Sequence, residues 1–321
     1  MTFEEIYGHK RQIAILKSAL ARDRIAHAYL FHGMEGIGKR TAAAVFARAL
    51  NCPAAEPPCD ACPACRKAER GNHPDIITVK PEGQFIKIGA IRELQERLTF
   101  RPSEGRRVFL MPEADRMNAP AANALLKTLE EPTAGNILLL TSARPYALPM
   151  TILSRCQPLR FSPLARKEVE RYLREQRRVA ADTAAVIAAS AGGSIGRALE
   201  MGEEDYLAAR DAVLDYVASD SREELLARLA FAGRLGTERE EILERLRILA
   251  SCYRDALIFR EIGEPERLMF RDRIGVIQRI AGRLSGRQIL ANMAAIRAAS
   301  DAIEKNANKP LTLESLMVRL N

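Results

Sequence analysis

Four cysteines crowd into "CPAAEPPCDACPAC", at positions 52, 59, 62 and 65. A Cys-x-x-Cys hairpin bends the backbone so that two thiolates share one ion, and four sulfurs complete a tetrahedral shell with no open coordination position. That donor set is the chemistry of a structural zinc rather than of a catalytic one. Pro53, Pro57, Pro58 and Pro63 stiffen a segment too small to have its own core. An iron–sulfur cluster is the second reading, because Cys59, Cys62 and Cys65 also suit that spacing. It is disfavoured because the fourth cysteine lies upstream, not three residues downstream before a proline. Cys156 and Cys252 stand apart and read as ordinary residues.

The second constellation is "GMEGIGKRT", beginning at Gly33. Gly33, Gly36 and Gly38 let successive N–H groups curl toward an anion, and Lys39 opens a helix from which it reaches the outer phosphates. Magnesium at such a loop is held by a hydroxyl residue directly after the lysine and by an Asp ending a later strand. Arg40 fills the first position here. Thr41 comes one residue later, which on a helix turns it about 100° away. After the strand "RVFLM" the chain reads "PEADRM", so Pro112 stands where the Asp belongs, although Glu113 remains to orient a water. With both metal contacts missing, the loop is expected to keep its shape without hydrolysing ATP, and to bind ATP or ADP weakly or not at all. His9, His27, His32 and His73 form no ligand pattern and no nucleophile–base pair is visible, so the histidines read as structural.

These residues need a scaffold that presents them. In the first half, short apolar runs alternate with helical patterns, the signature of a parallel sheet covered by helices. Strands are expected at residues 28–31, 76–79, 107–111, 136–141 and 158–161, with helices near 10–22, 39–50, 89–98 and 119–131. Pro132 closes the last helix. "FSPL" at 161–164 reads as a linker. A small helical segment runs to about Gly202, with "AGGSIG" (191–196) as a turn inside it. From Tyr206 onward, apolar residues recur at three-and-four spacing in "REELLARLAFAG", "EEILERLRILASCYRDALIFREIG" and "GRQILANMAAIRAASDAIEKNANKP", an all-α pattern.

The 321 residues, 47% hydrophobic, are enough for two or three domains. No apolar run approaches the ~18 residues of a spanning helix, and the N-terminal residues carry no apolar leader, so a cytoplasmic protein without membrane contact is expected. The net charge of +8 is a weak hint of a polyanion nearby. It concentrates between Arg144 and Arg178, where nine Arg and Lys oppose three Glu. Much of that stretch, "RKEVERYLREQRR", has Val169, Tyr172 and Leu173 at amphipathic spacing, and a solvated helix face is favoured over a nucleic-acid patch. With no Trp and few aromatics, stacking on single-stranded bases is not signalled.

"NALLKTLEEP" (123–132), "LPMTILSRC" (148–156), "GNHPD" (71–75), the cysteine cluster after the phosphate-loop helix and the ending "NANKPLTLESLMVRL" (306–320) resemble, in order and spacing, bacterial DNA clamp-loader subunits, three-domain members of the AAA+ ATPase superfamily. The resemblance spans nearly the whole chain. It implies an α/β AAA+ P-loop domain with a parallel sheet (1–163) and an inserted zinc knuckle (52–65), a small helical lid (164–205) and an all-α collar for oligomerisation (206–321).

Within that family the motor subunits, gamma and tau, carry intact phosphate loops and an Asp-Glu pair, which this chain lacks. They also carry a sensing arginine where "GGSIGRAL" has Gly196, with Arg197 displaced by one. The chain is therefore similar to the delta-prime kind, which keeps the AAA+ shape without an effective ATPase site. The resemblance implies that Arg155, with Ser154 and Cys156 as its motif, acts as an arginine finger in a neighbour's ATP site. It further implies a hetero-pentamer with gamma/tau and delta subunits that loads a sliding clamp onto primed DNA. An active gamma/tau-like ATPase and a zinc-dependent DNA-binding module remain the alternatives. No basic residue lies inside the cysteine loop before Arg66, which counts against the second.

Overall fold

Continuous apolar runs bounded by turns become strands buried on both faces. β1 (Ala28–His32), β2 (Ile76–Thr78), β3 (Arg107–Met111), β4 (Asn136–Ser142) and β5 (Gln157–Arg160) form one five-stranded sheet in the order β2-β3-β4-β1-β5. Every pairing is parallel, with Leu30 beside Leu140 and Phe31 beside Leu159. The computed structural model describes residues 1–103, 105–201, 203–219 and 224–320. Gly202, the expected end of the second helical segment, and Arg222 and Glu223, which open "REELL", lie outside the described residues.

Because successive side chains of a strand point to opposite faces, β4 feeds two cores at once. Leu138 and Leu140 pack with Leu30, Phe109 and Met111 beneath α4 (Ile88–Leu98) and α5 (Ala119–Glu130). Ile137 and Leu139 pack with Tyr29, Phe31 and Val108 beneath α1 (Lys10–Ala21) and α2 (Lys39–Ala49). A sheet covered on both faces has to connect its parallel strands through helices, and those crossovers place the loops after β1 and β3 at one end of the sheet. All five expected strands and all four expected helices of this half are present, within a residue or two at their ends. Two helices carry no periodic signal in the sequence: α3 (Pro63–Glu69) inside the cysteine segment, and the single turn α6 (Met150–Leu153).

The backbone packs as two compact units, Met1–Tyr172 with Gly192–Arg197 and Leu173–Ala191 with Ala198–Asn321. The division falls inside α7 (Arg166–Arg177) and again around the turn at 192–197. Val169 and Leu173 are the buried residues of that helix's charged sequence, whose remainder is largely solvated. The second unit includes α8 (Ala181–Ser190) and continues, after α9 (Ile195–Glu200), with α10 (Glu203–Ala218), α11 (Leu225–Arg234), α12 (Arg239–Ile262), α13 (Ile274–Arg283), α14 (Gly286–Glu304) and α15 (Lys309–Arg319). α12 packs along α14 and α13 through Ile242, Leu246, Leu249 and Tyr253. Ser285 and Gln288 close a reciprocal cap at the start of α14. Asp255, fully buried on α12, accepts the N–H groups of Met269 at 2.7 Å and Phe270 at 2.8 Å and so ties the following loop to the helix.

Candidate functional site

The phosphate loop joins β1 to α2, as its motif requires. Gly33 has φ 144°, and a Cβ there would lie 2.1 Å from the Phe161 carbonyl oxygen. The loop is anchored one carbonyl at a time. Lys39 Nζ donates to Met34 O (2.6 Å), Ser194 Oγ to Glu35 O (2.9 Å), Gly196 N–H to Gly36 O (2.8 Å) and His9 Nε2 to Ile37 O (2.7 Å). Four consecutive peptide planes are thereby fixed by the protein itself. Gly196 lies backbone to backbone against Gly36. A Cβ on Gly196 would come within 2.7 Å of the Gly36 Cα, so no side chain fits there. The Arg197 N–H instead bonds Ser194 Oγ at 3.1 Å.

Lys39 is buried, and desolvation pulls its pKa below the ordinary lysine value, against the attraction of Glu35 and Asp115. Gly33, Gly36, Gly38 and Lys39 are thus brought together in one loop, with Thr41 two residues further along α2. Arg40 and Pro112 line one cavity of about 200 Å³ together with Thr78, Met111 and Thr141, and Thr41 does not line it. Glu113 is exposed, with a left-handed backbone (φ 54°), and pairs with Arg116 at 2.7 Å. Asp115, which no local sequence pattern marks, is the nearly buried acid of this end of the sheet. It accepts from the Ala143 N–H at 3.3 Å and from Arg144 Nε at 3.2 Å.

The four cysteines converge, with their Sγ atoms within 4.8 Å of one another. A tetrahedral zinc with Zn–S bonds of ~2.3 Å sets its sulfurs ~3.8 Å apart, so the cluster has the dimensions for one ion. Cys62 caps the N-terminus of α3, its Sγ accepting the Cys65 N–H at 3.4 Å, and Cys59 Sγ accepts the Cys62 N–H at 3.4 Å. Those donors are the groups that neutralise thiolates around a cation. The Cys62 and Ala61 N–H groups bring the Cys59 thiol down to about 6, whereas burial raises Cys65 to about 12. An ion pair between Arg48 of α2 and Asp60 ties the segment to the phosphate-loop helix. Cys156 and Cys252 are buried, and burial raises both thiols, Cys156 to about 12.

Arg155 stands apart from both clusters, on the connection from α6 to β5. Its Nη2 lies 2.9 Å from Glu130 Oε1 at the end of α5, and its Nη1 donates to Thr151 O at 3.0 Å and, more loosely, to Ser154 Oγ at 3.4 Å. The side chain is 36% exposed. "GNHPD" is structural: Asp75 is fully buried, accepts the Ser103 N–H at 2.8 Å and pairs with Arg107 at 3.1 Å. Arg107 also donates to the carbonyls of Arg97, Phe100 and Arg101, gathering in the end of α4.

Residues 8–165 match a family model described as DNA polymerase III, delta subunit. The DNA polymerase III subunit delta-prime of Bacillus subtilis is 31% identical over 319 residues, which are 97% of this chain and 95% of that protein. The corresponding subunit of Pseudomonas aeruginosa is 42% identical over 150 residues, 45% of this chain and 46% of its own length. The DNA polymerase III subunit tau of Escherichia coli is 34% identical over 212 residues, 63% of this chain but 33% of its own.

Proposed function

The chain belongs to the family of DNA polymerase III delta-prime subunits, and we propose that it works as a stator of a bacterial clamp loader, contributing a catalytic cation to a neighbour and none to itself. It would assemble with gamma/tau and delta subunits in a hetero-pentamer whose ATP cycle opens a sliding clamp and closes it on primed DNA. The lid (164–205) and the collar for assembly (206–321) are part of this reading.

The observation that carries it is a contrast inside one chain. Beside the chain's own phosphate loop, Arg40 follows Lys39 and Pro112 follows β3, so neither position where magnesium would be held offers a hydroxyl or a carboxylate. At Arg155, a guanidinium sits at the surface, held on its side-chain side by one exposed carboxylate. A surface pair of that kind is worth about 0–1 kcal/mol, so it does not lock the arginine away, and the guanidinium's remaining donors can engage a triphosphate oxygen on an adjoining subunit. Charge spreads over the transferred phosphoryl group during its transfer, and arginine fingers accelerate that step by roughly 10³–10⁵-fold. Arg155 would supply that charge in trans. Ser154 and Cys156 hold the short connection, Cys156 by packing into the core.

We further read the four-cysteine cluster as a structural zinc site held by Cys52, Cys59, Cys62 and Cys65. Sulfurs this close enclose one ion rather than a multi-iron cluster. When bound, zinc would close the 52–65 segment through four thiolates, and the Cys62 and Cys65 N–H groups would stabilise their charge.

The test of the stator role is reconstitution with cognate motor and delta subunits. Clamp- and DNA-stimulated hydrolysis should require this chain, and the chain alone should be silent. Hydrolysis by the lone chain that Lys39→Ala abolishes would replace the stator with a motor. Tight, salt-sensitive DNA binding by the lone chain, lost on zinc chelation, would replace it with a nucleic-acid module.

A further inference from the structure

Arg155 carries five N–H donors. The Thr151 carbonyl and the Ser154 hydroxyl take Nη1, and Glu130 takes one position on Nη2. Nε and the remaining Nη2 hydrogen have no partner among the described residues. The guanidinium is therefore gripped along one edge by groups of two different elements, α5 and α6, and its other donors are left for a ligand. An arginine side chain has about 2 kcal/mol of rotamer freedom to lose when it is immobilised. A finger that is already oriented loses less of it on engaging a phosphate.

We propose that Glu130 is the positioning residue of the finger: its carboxylate holds the Arg155 guanidinium in the orientation from which the free donors meet the neighbour's phosphoryl oxygens. The inference rests on the trans role of Arg155 proposed above. Glu130 suits the task because it closes α5, a helix fixed in the core through Leu125 and Leu129 and ended by Pro132. The carboxylate is therefore mounted on a rigid element, whereas Arg155 sits on a connection. A carboxylate also removes no charge from the finger, since arginine stays protonated beside it.

The experiment is a double-mutant cycle in the reconstituted ring, reading kcat and KM for ATP together with ring assembly. Misplacing a catalytic group by about 1 Å can cost roughly 10²-fold, and loss of one of two grips is expected to cost less. Glu130→Gln should lower kcat about tenfold, with KM and assembly unchanged. Glu130→Asp, which keeps the charge on a shorter arm, should recover part of that loss. In the Arg155→Ala background, Glu130→Gln should change nothing further. If Arg155→Ala lowers kcat but Glu130→Gln matches the wild type, Glu130 is a bystander and the finger stands. Additive losses in the double variant would also overturn the positioning role, since Glu130 would then act without Arg155. If Arg155→Ala itself has no effect, the trans role fails and the positioning role fails with it.

Discussion

At the scale of single residues, close approaches decide which positions tolerate change. Gly196 and Gly36 touch backbone to backbone, so Gly196→Ala forces the phosphate loop and the start of α9 apart. A destabilisation of about 1–3 kcal/mol is expected, the usual cost of overpacking, read as a lowered urea midpoint. The buried Asp75–Arg107 pair is more demanding. Asp75→Ala leaves a guanidinium buried without its carboxylate, and breaking such pairs costs about 3–5 kcal/mol; unchanged stability would mean that water satisfies Arg107. His9 gives the pH dependence. Burial outweighs its bond to Ile37 O and, with repulsion from Lys39, lowers its pKa in the fold. The stability it contributes is complete above the unfolded value of about 6.5 and is lost as pH falls through the depressed folded value. His32 is lowered in the same direction, by burial first and then by Arg160 and Lys39. Denaturation midpoints should therefore fall between pH 7.5 and 5.5. His9→Asn, which tolerates the left-handed backbone at that position (φ 52°), should flatten part of the fall.

At the scale of elements, the cysteine segment has few apolar residues of its own in the core, Ala64 and Cys65 among them, and the proposed zinc would close it. Purified chain should release one zinc ion per molecule to a thiol-reactive indicator. Chelation, or Cys62→Ser, should make the 52–70 backbone exchange its amides faster while β4 stays protected. Equal protection with and without the ion would show that the Arg48–Asp60 tie suffices. The sheet was legible in the sequence because each strand is a continuous apolar run between turns, and α1, α2, α4 and α5 have unbroken periodicity. α3 was not legible: its seven residues owe their helix to the Cys62 cap, to Pro63 in the first turn and to cysteines gathered at one point. The convergence of the four cysteines was legible, since spacing in the sequence was enough to group them. Partnerships across long separations were not. Glu130 with Arg155 and Gly36 with Gly196 leave no local pattern, and "GNHPD" was recognisable as a motif before Arg107 explained its aspartate.

At the scale of the whole molecule, the chain keeps the phosphate-loop architecture, a strand leading through a glycine loop into a helix opened by lysine. Four carbonyls from Met34 to Ile37 are bonded to Lys39, Ser194, Gly196 and His9, so the loop is stable as a structural corner without any ligand. Restoring a hydroxyl alone, with Arg40→Thr, should therefore produce no ATPase activity, because Pro112 still supplies no carboxylate; measurable turnover from that single change would contradict this account of the loop. No helix among the described residues is long and apolar enough to cross a membrane. The central claim is that this subunit gives its chemistry away, to a neighbour's site, through one arginine. It is tested most directly by ATP turnover in rings assembled with wild-type chain or with Arg155→Ala. Rings with Arg155→Ala should assemble equally well and turn over roughly 10³-fold more slowly at the site adjoining this subunit, since an exposed pair contributes little to folding. Rings of undiminished turnover at every site would contradict it.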